Sequence, residues 1–286
     1  MESKSGQLKI LELLKLTENL FKEKSIVNPR LNAELLLSNC LNIERISLYT
    51  DFDKPLNETE VNIFREKVKR RLNFEPLQYI LEEAHFYGKT FKVNPSVMIP
   101  RPETELLVEK TIELIRGNEL AEPKILEIGT GSGCISISIA SNVPCIIDAI
   151  DIDEKAVRTA EDNLLLNKTI GKINFSICDF ITQDISIEDY DIIVSNPPYI
   201  PETEYFTLPD EIKKYEPQSA LTDKSDGLKF YRRIFKLYKS SLKKPSCLLE
   251  IGDGKKDVVE KLVNEYSIKN YVFHKDLLNI YRVLEI

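Results

Sequence analysis

The stretch LEIGTGSGCI, residues 126–135, decides the fold. The apolar run KILEIG, residues 124–129, reads as a buried strand, and the chain then turns through Gly129, Gly131 and Gly133 into an apolar segment that starts a helix. Glycines at this place let the backbone approach a ligand where a parallel sheet reverses its strand order. The spacing is G-x-G-x-G. Cys134 stands where a dinucleotide fingerprint has its last glycine, and the Gly-Lys-Ser/Thr of a P-loop is absent, so the expected ligand is not a pyrophosphate.

Working outward, six more strands follow: CIIDAID (145–151), INFSIC (173–178), DIIVSN (191–196), SCLLEIG (246–252), NYVFHK (270–275) and IYRVLEI (280–286). Helices fit between the early ones; the clearest runs from Asp153, its cap, to Asn167, and another covers Glu105 to Arg116. Seven strands, with helices between the first five, predict a doubly wound α/β sheet over residues 104–286. The last two strands lie too close for a helical crossover and are expected to pair antiparallel.

Ahead of the sheet the texture changes twice. Residues 1–73 read as a small helical domain: Leu8, Leu11, Leu14 and Phe21 repeat at helical spacing over 7–24, Asn28 caps a helix with Pro29 at its first position, and Leu31, Leu35 and Leu36 form its apolar face. LNETEV gives a complete start signal, with Asn57 as cap, Glu60 closing a capping box, Leu56 and Val61 as hydrophobic staple, and Phe64, Val68 and Leu72 continuing the face. Residues 74–103 are short aromatic and β-branched pieces broken by Gly88, Pro95, Pro100 and Pro102, which read as a hairpin and an extended linker.

The chain has 286 residues, 42% hydrophobic and 30% charged, with a net charge of −7; this argues against a protein that binds mainly by covering phosphates. Lys67, Lys69, Arg70 and Arg71 read as the solvated side of a helix, with a local basic face as the other reading. Five scattered cysteines, Cys40, Cys134, Cys145, Cys178 and Cys247, indicate neither a disulfide framework nor a metal site and fit a reducing cytoplasm. His85 and His274 are isolated, so no histidine-centred base or metal is expected. No signal peptide or membrane segment is read.

The residues at the strand ends carry the chemistry. Asp151 comes 22 residues after Gly129, the offset at which a carboxylate takes ribose hydroxyls. Asp179 and Phe180 follow the third strand and offer an acceptor for an exocyclic amine and a face for a purine. Tight packing around the glycines and helix capping by the aspartates are the plainer readings of each piece alone. Together with Thr130 and Ser132, the pieces describe a nucleoside site without a phosphate grip, as S-adenosylmethionine needs. After the fourth strand stands Asn196-Pro197-Pro198-Tyr199. Two prolines remove two backbone donors and hold the chain extended, leaving carbonyls and the Asn196 amide for a planar polar partner. A stiff exit loop with a half-buried Tyr199 is the alternative.

EPLQYI, FYGKTFKVNPSVMIPRPETE, EIGTGSGCI, SNPPYI, YEPQSAL and the final RVLEI occur in this order over nearly the whole chain. The series resembles the release factor glutamine methyltransferases, within the class I S-adenosylmethionine-dependent methyltransferases. The resemblance implies a helical N-terminal domain and a catalytic domain that together hold a class I peptide chain release factor. The methyl group would go to N5 of the glutamine in its Gly-Gly-Gln loop. By that resemblance Gly129 to Gly133, Asp151, Phe180 and Asn196 lie at the cofactor, and Asn196 to Tyr199 receive the glutamine. No membrane and no direct nucleic-acid partner are implied. Methylation of a ribosomal-protein glutamine or of adenine N6 in nucleic acid is the alternative. Arg101 and Glu103 either shape the entrance or belong to a polar linker. Two positions depart from the pattern: Glu82-Glu83 and Asn279 stand where glycine is expected.

Overall fold

The structure is a computed structural model that describes residues 8–286. Gln7, the first residue of the first expected helix, and the six residues before it lie outside the described residues. The chain divides into two compact units, residues 1–82 with Asp210–Tyr215, and residues 83–209 with 216–286.

Unit 1 is helical. Helices Ile10–Glu23, Pro29–Leu41, Glu58–Leu72 and Leu77–Leu81 enclose a core that includes Leu14, Phe21, Leu36, Leu37 and Phe64. The capping box at Asn57 is present in both directions, Glu60 N to Asn57 Oδ1 at 2.9 Å and Asn57 N to Glu60 Oε2 at 2.8 Å. Leu56 and Val61 are both buried.

Other expectations for this unit need correction. Asn28 adopts a left-handed conformation (φ 53) and makes no side-chain cap; Asn32 Nδ2 instead donates to the Val27 and Asn28 carbonyls. The buried face of the first helix is Ile10, Leu13, Leu14, Thr17 and Phe21, because the helix starts at Ile10 and its phase leaves Leu11 at the margin. Leu31 is exposed, and Ala33, Leu36 and Leu37 face the core. The PLQYI piece, read as extended, is the helix Leu77–Leu81. Arg71, read on a solvated face, is buried; it bonds Asn32 Oδ1 at 2.8 Å and pairs with Glu211 at 3.1 Å.

Unit 2 begins with an antiparallel hairpin, β1 (Glu83–Phe86) and β2 (Lys89–Lys92). Tyr87 and Gly88 both have positive φ (49 and 70), the turn whose twist matches the flanking strands. The sheet contains β3 (Lys124–Ile128), β4 (Ile146–Asp151), β5 (Lys172–Ile177), β6 (Ile192–Ser195), β7 (Ser246–Glu250), β8 (Val272–Lys275) and β9 (Tyr281–Glu285). Its order is β5-β4-β3-β6-β7-β9-β8, parallel through β7, with β9 antiparallel to both neighbours. Each expected strand is present to within two residues.

The central strands are apolar on both faces, as strands covered by helices must be. Ile125, Ile147, Ile192 and Val194 pack into one core with helices Glu105–Gly117 and Cys134–Ala140. Leu126, Ile128, Ile193 and Leu249 pack on the opposite face with helices Lys229–Ser240 and Lys256–Glu265. Strand order reverses between β3 and β6, so the carboxyl ends of β3, β4 and β6 open onto one crevice.

Candidate active site

The glycine loop folds over the end of β4: Gly129 N and Thr130 N both donate to the Ile150 carbonyl, at 2.9 and 3.0 Å. All three glycines have positive φ, +77, +54 and +77. A Cβ at Gly129 or Gly131 would meet nothing within 4 Å, whereas at Gly133 it would lie 3.1 Å from Ala160 Cβ. The first two glycines therefore border open space, and the third permits close helix packing.

That space is a cavity of about 300 Å³ within unit 2. Gly129, Thr130, Gly131, Ser132, Asp151, Asp179, Phe180, Asn196 and Pro198 line it; Gly133, Pro197 and Tyr199 do not. The Asp151 carboxylate accepts from Gly131 N at 2.9 Å and from Asp153 N at 3.0 Å, which fixes its orientation. Burial pushes its pKa up, and these backbone donors pull it back. A carboxylate has about four acceptor sites, so these donors leave it acceptor capacity for a ligand hydroxyl.

Asp179 accepts from Thr182 Oγ1 at 2.6 Å and Ile181 N at 2.9 Å; the Thr182 bond is the chief cause of its lowered pKa. Its carboxylate thus closes a local turn while still bordering the cavity. Phe180 is buried and stacks on Phe230, with ring centroids 6.2 Å apart and planes 17° from parallel. The open glycine edge, the oriented carboxylate and the aromatic wall fit a nucleoside cofactor. Among the described residues no group of three or more His, Cys, Asp or Glu could hold a metal ion.

At the end of β6, Asn196 Nδ2 donates to Thr104 Oγ1 at 3.1 Å. Oδ1 is then the atom of this amide left to accept from a ligand. The Tyr199 ring packs on Gly252, where an added Cβ would lie 2.8 Å from Cδ2. The Tyr199 carbonyl sits over Gly227, where a Cβ would approach to 2.4 Å. Burial, with the Glu250 charge adding to it, holds the Tyr199 phenol well above its usual pKa, so it stays neutral. His85 meets Thr90 at 3.2 Å and His274 meets Glu285 at 2.6 Å; neither lines the cavity.

Sequence reasoning missed two buried glutamates. LEIG occurs twice, at 126–129 and 249–252, each time ending a strand, and that repetition is the signal that could have found them. Glu127 accepts from Thr130 Oγ1 at 2.8 Å and from the Ser136 hydroxyl, and burial pushes its pKa up to about 7. Burial does the same to Glu250, to about 7, against the opposing effects of Thr104, Arg282 and Asn196. Arg101 pairs with buried Glu216 of the YEPQSAL piece, whose Oε2 also accepts from Ile99 N at 3.2 Å. This pair anchors the segment ahead of the helix Glu105–Gly117.

Among the described residues no helix is long and apolar enough to cross a membrane. The catalytic domain of hMettl16, solved with a 3′UTR hairpin, shares the fold at a TM-score of 0.54 and 15% identity, over 80% of this chain and 81% of that one. The seven-stranded sheet and its covering helices are thus a fold shared with that catalytic domain. Residues 12–81 match the PrmC N-terminal domain and residues 103–210 the methyltransferase small domain. The release factor glutamine methyltransferase of Fusobacterium nucleatum is 41% identical over 276 residues, 95% of this chain and 77% of that protein. That of Chlorobaculum tepidum is 39% identical over 267 residues, 90% of each. With both family models matched in order and relatives this similar over most of their length, the chain belongs to the release factor glutamine methyltransferase family.

Proposed function

We propose that this protein methylates N5 of the glutamine in the Gly-Gly-Gln loop of class I peptide chain release factors, in the cytoplasm, with S-adenosylmethionine as donor. The observation that carries the reading is Asn196: its Nδ2 is occupied by Thr104, and it borders the same cavity as the glycine loop and Asp151. Asp151 would hold the ribose hydroxyls, Phe180 the adenine face, and Gly129 to Ser132 the edge nearest the glycine loop. When bound, the cofactor supplies a methyl group on a sulfonium, whose C–S pair returns to sulfur as the N–C bond forms.

An amide nitrogen is a poor nucleophile, because its lone pair is delocalised into the carbonyl. Positioning therefore has to do most of the work. Asn196 Oδ1 and the Pro197 carbonyl would accept the two N–H bonds of the glutamine, aim its nitrogen at the methyl group and stabilise the charge that develops there. The surplus proton on nitrogen then passes to solvent. Pro197 and Pro198 hold this acceptor pair rigid, and Tyr199, kept neutral and packed on Gly252 outside the cavity, would brace the turn.

Unit 1 would recognise the protein substrate; its exposed Leu16, Leu20, Val27, Ile46 and Phe52 suit a protein partner better than a nucleic acid. The test is to incubate the full chain with methyl-labelled S-adenosylmethionine and, separately, purified release factor, ribosomal proteins, tRNA and DNA. Label on the Gly-Gly-Gln glutamine alone is expected. Label confined to ribosomal protein or to adenine would overturn the assignment of the acceptor.

A further inference from the structure

Glu250, at the carboxyl end of β7, is 3% exposed, and its Oε2 has no hydrogen-bond partner among the described residues. An apolar strand gains nothing from such a group, and a buried carboxylate with an unmet oxygen is costly. Its surroundings are specific. Thr104, itself 2% exposed, and Asn196 both lie against the carboxylate and stabilise its charge; Arg282 favours that charge and Glu103 opposes it. Tyr199 and Cys134 feel the same carboxylate, and the Tyr231 hydroxyl donates to the Glu250 carbonyl at 2.5 Å.

We propose that Glu250 is a positioning residue that sets, directly and through the Thr104 hydroxyl, which way the Asn196 side-chain amide faces. A carboxylate only accepts, so beside charged Glu250 the Thr104 O–H donates to it and the Thr104 oxygen must accept. Asn196 Nδ2 is the donor that meets it, which leaves Oδ1 as the acceptor this amide offers to a ligand. Protonated Glu250 can donate to Thr104 instead; Thr104 is then free to donate to Asn196 Oδ1, and the amide loses its fixed sense. A glutamine receptor built on Oδ1 therefore works only with Glu250 charged. Glu250 acts through Asn196 and touches no substrate. This inference rests on the proposed role of Asn196 for its kinetic consequence, but not for its structural one.

Because burial lifts the Glu250 carboxyl to about 7, the two states exchange near neutral pH. Two readouts test this in the full chain. The first needs no acceptor: with 15N-asparagine labelling, the Asn196 side-chain resonances, assigned by their loss in Asn196→Ala, should shift with a midpoint near pH 7 in the wild type. They should show no such step in Glu250→Gln. The second is single-turnover methyl transfer at saturating cofactor. The rate should rise with pH and level off above about 7, and Glu250→Gln should lower it about tenfold with cofactor affinity unchanged and the step lost. Thr104→Val should shift the profile in the same direction as Glu250→Gln by a smaller amount, since Asn196 still meets the carboxylate directly, and Thr104→Ser should restore the wild-type profile. Asn196 resonances that ignore pH in the wild type would overturn the proposal, as would a rate profile unaltered by both Glu250→Gln and Thr104→Val. A wild-type resonance step near 7 without methylation of any glutamine would support the role of Glu250 and defeat the proposed function.

Discussion

Gly131 N donates to Oδ2 of Asp151 at 2.9 Å, so the glycine loop and the end of β4 are joined by a charged hydrogen bond before any ligand arrives. The carboxylate is preorganised, and a diol that binds it meets no reorganisation cost. Asp151→Ala should weaken S-adenosylmethionine binding by about 1.5 to 3 kcal/mol, the scale of hydrogen bonds to a charged group. Calorimetry measures this directly; unchanged affinity would remove Asp151 from the site.

Glu127 gives a prediction about stability. Its carboxyl is raised by burial from 4.5 to about 7, so between these values the folded protein keeps a proton that the unfolded chain has released. The resulting stabilisation is full below about pH 4.5 and is lost as pH rises through about 7. Glu127→Gln never ionises. Relative to wild type it should therefore gain stability between pH 5 and pH 8, by up to about 3 kcal/mol. Urea denaturation of both proteins at the two pH values measures the difference; equal gaps would show that Glu127 ionises normally.

The two departures from the family's glycine pattern fall on backbone that glycine would suit. Glu82, which ends the helix Leu77–Leu81, has φ 62, and Asn279 has φ 67. Glu82→Gly should raise stability by up to about 1 kcal/mol through relief of Cβ strain, less the extra freedom of the unfolded chain. Asn279→Gly should do less, because asparagine tolerates this region and its Oδ1 accepts from Lys275 Nζ at 2.9 Å. A lower thermal midpoint for Glu82→Gly would contradict this.

These residues also mark where the sequence was legible. The sheet could be read because β3, β6 and β7 are short segments rich in Ile, Leu and Val followed within two residues by residues with little other reason to be there: Gly129, Asn196 and Gly252. The capping box at Asn57 was legible because it depends on two residues three positions apart, Asn57 and Glu60. The helix Leu77–Leu81 was not, since five residues between Pro76 and a left-handed Glu82 are too few to show a period. Asn28 has the composition of a cap but not its geometry, because its backbone is left-handed (φ 53) rather than in the extended conformation from which a cap side chain accepts from the first helical N–H groups. Arg71 and Arg101 look like surface charges in the sequence, and their partners, Glu211 and Glu216, lie more than a hundred residues away. Glu250 was missed for the same reason: its partners Thr104 and Asn196 meet it only in three dimensions.

The central claim is that the turn after β6 receives the substrate amide through Asn196. The direct measurement is the single-turnover rate of methyl transfer to purified release factor by Asn196→Ala, at saturating cofactor, beside its affinity for the same release factor. Substrate held over a large surface hardly depends on one amide contact, whereas transfer depends on where the nitrogen is aimed. The account predicts a rate lower by roughly two to three orders of magnitude with release-factor affinity nearly unchanged. Transfer at the wild-type rate would contradict it and leave Asn196-Pro197-Pro198-Tyr199 as no more than a stiff exit from a strand.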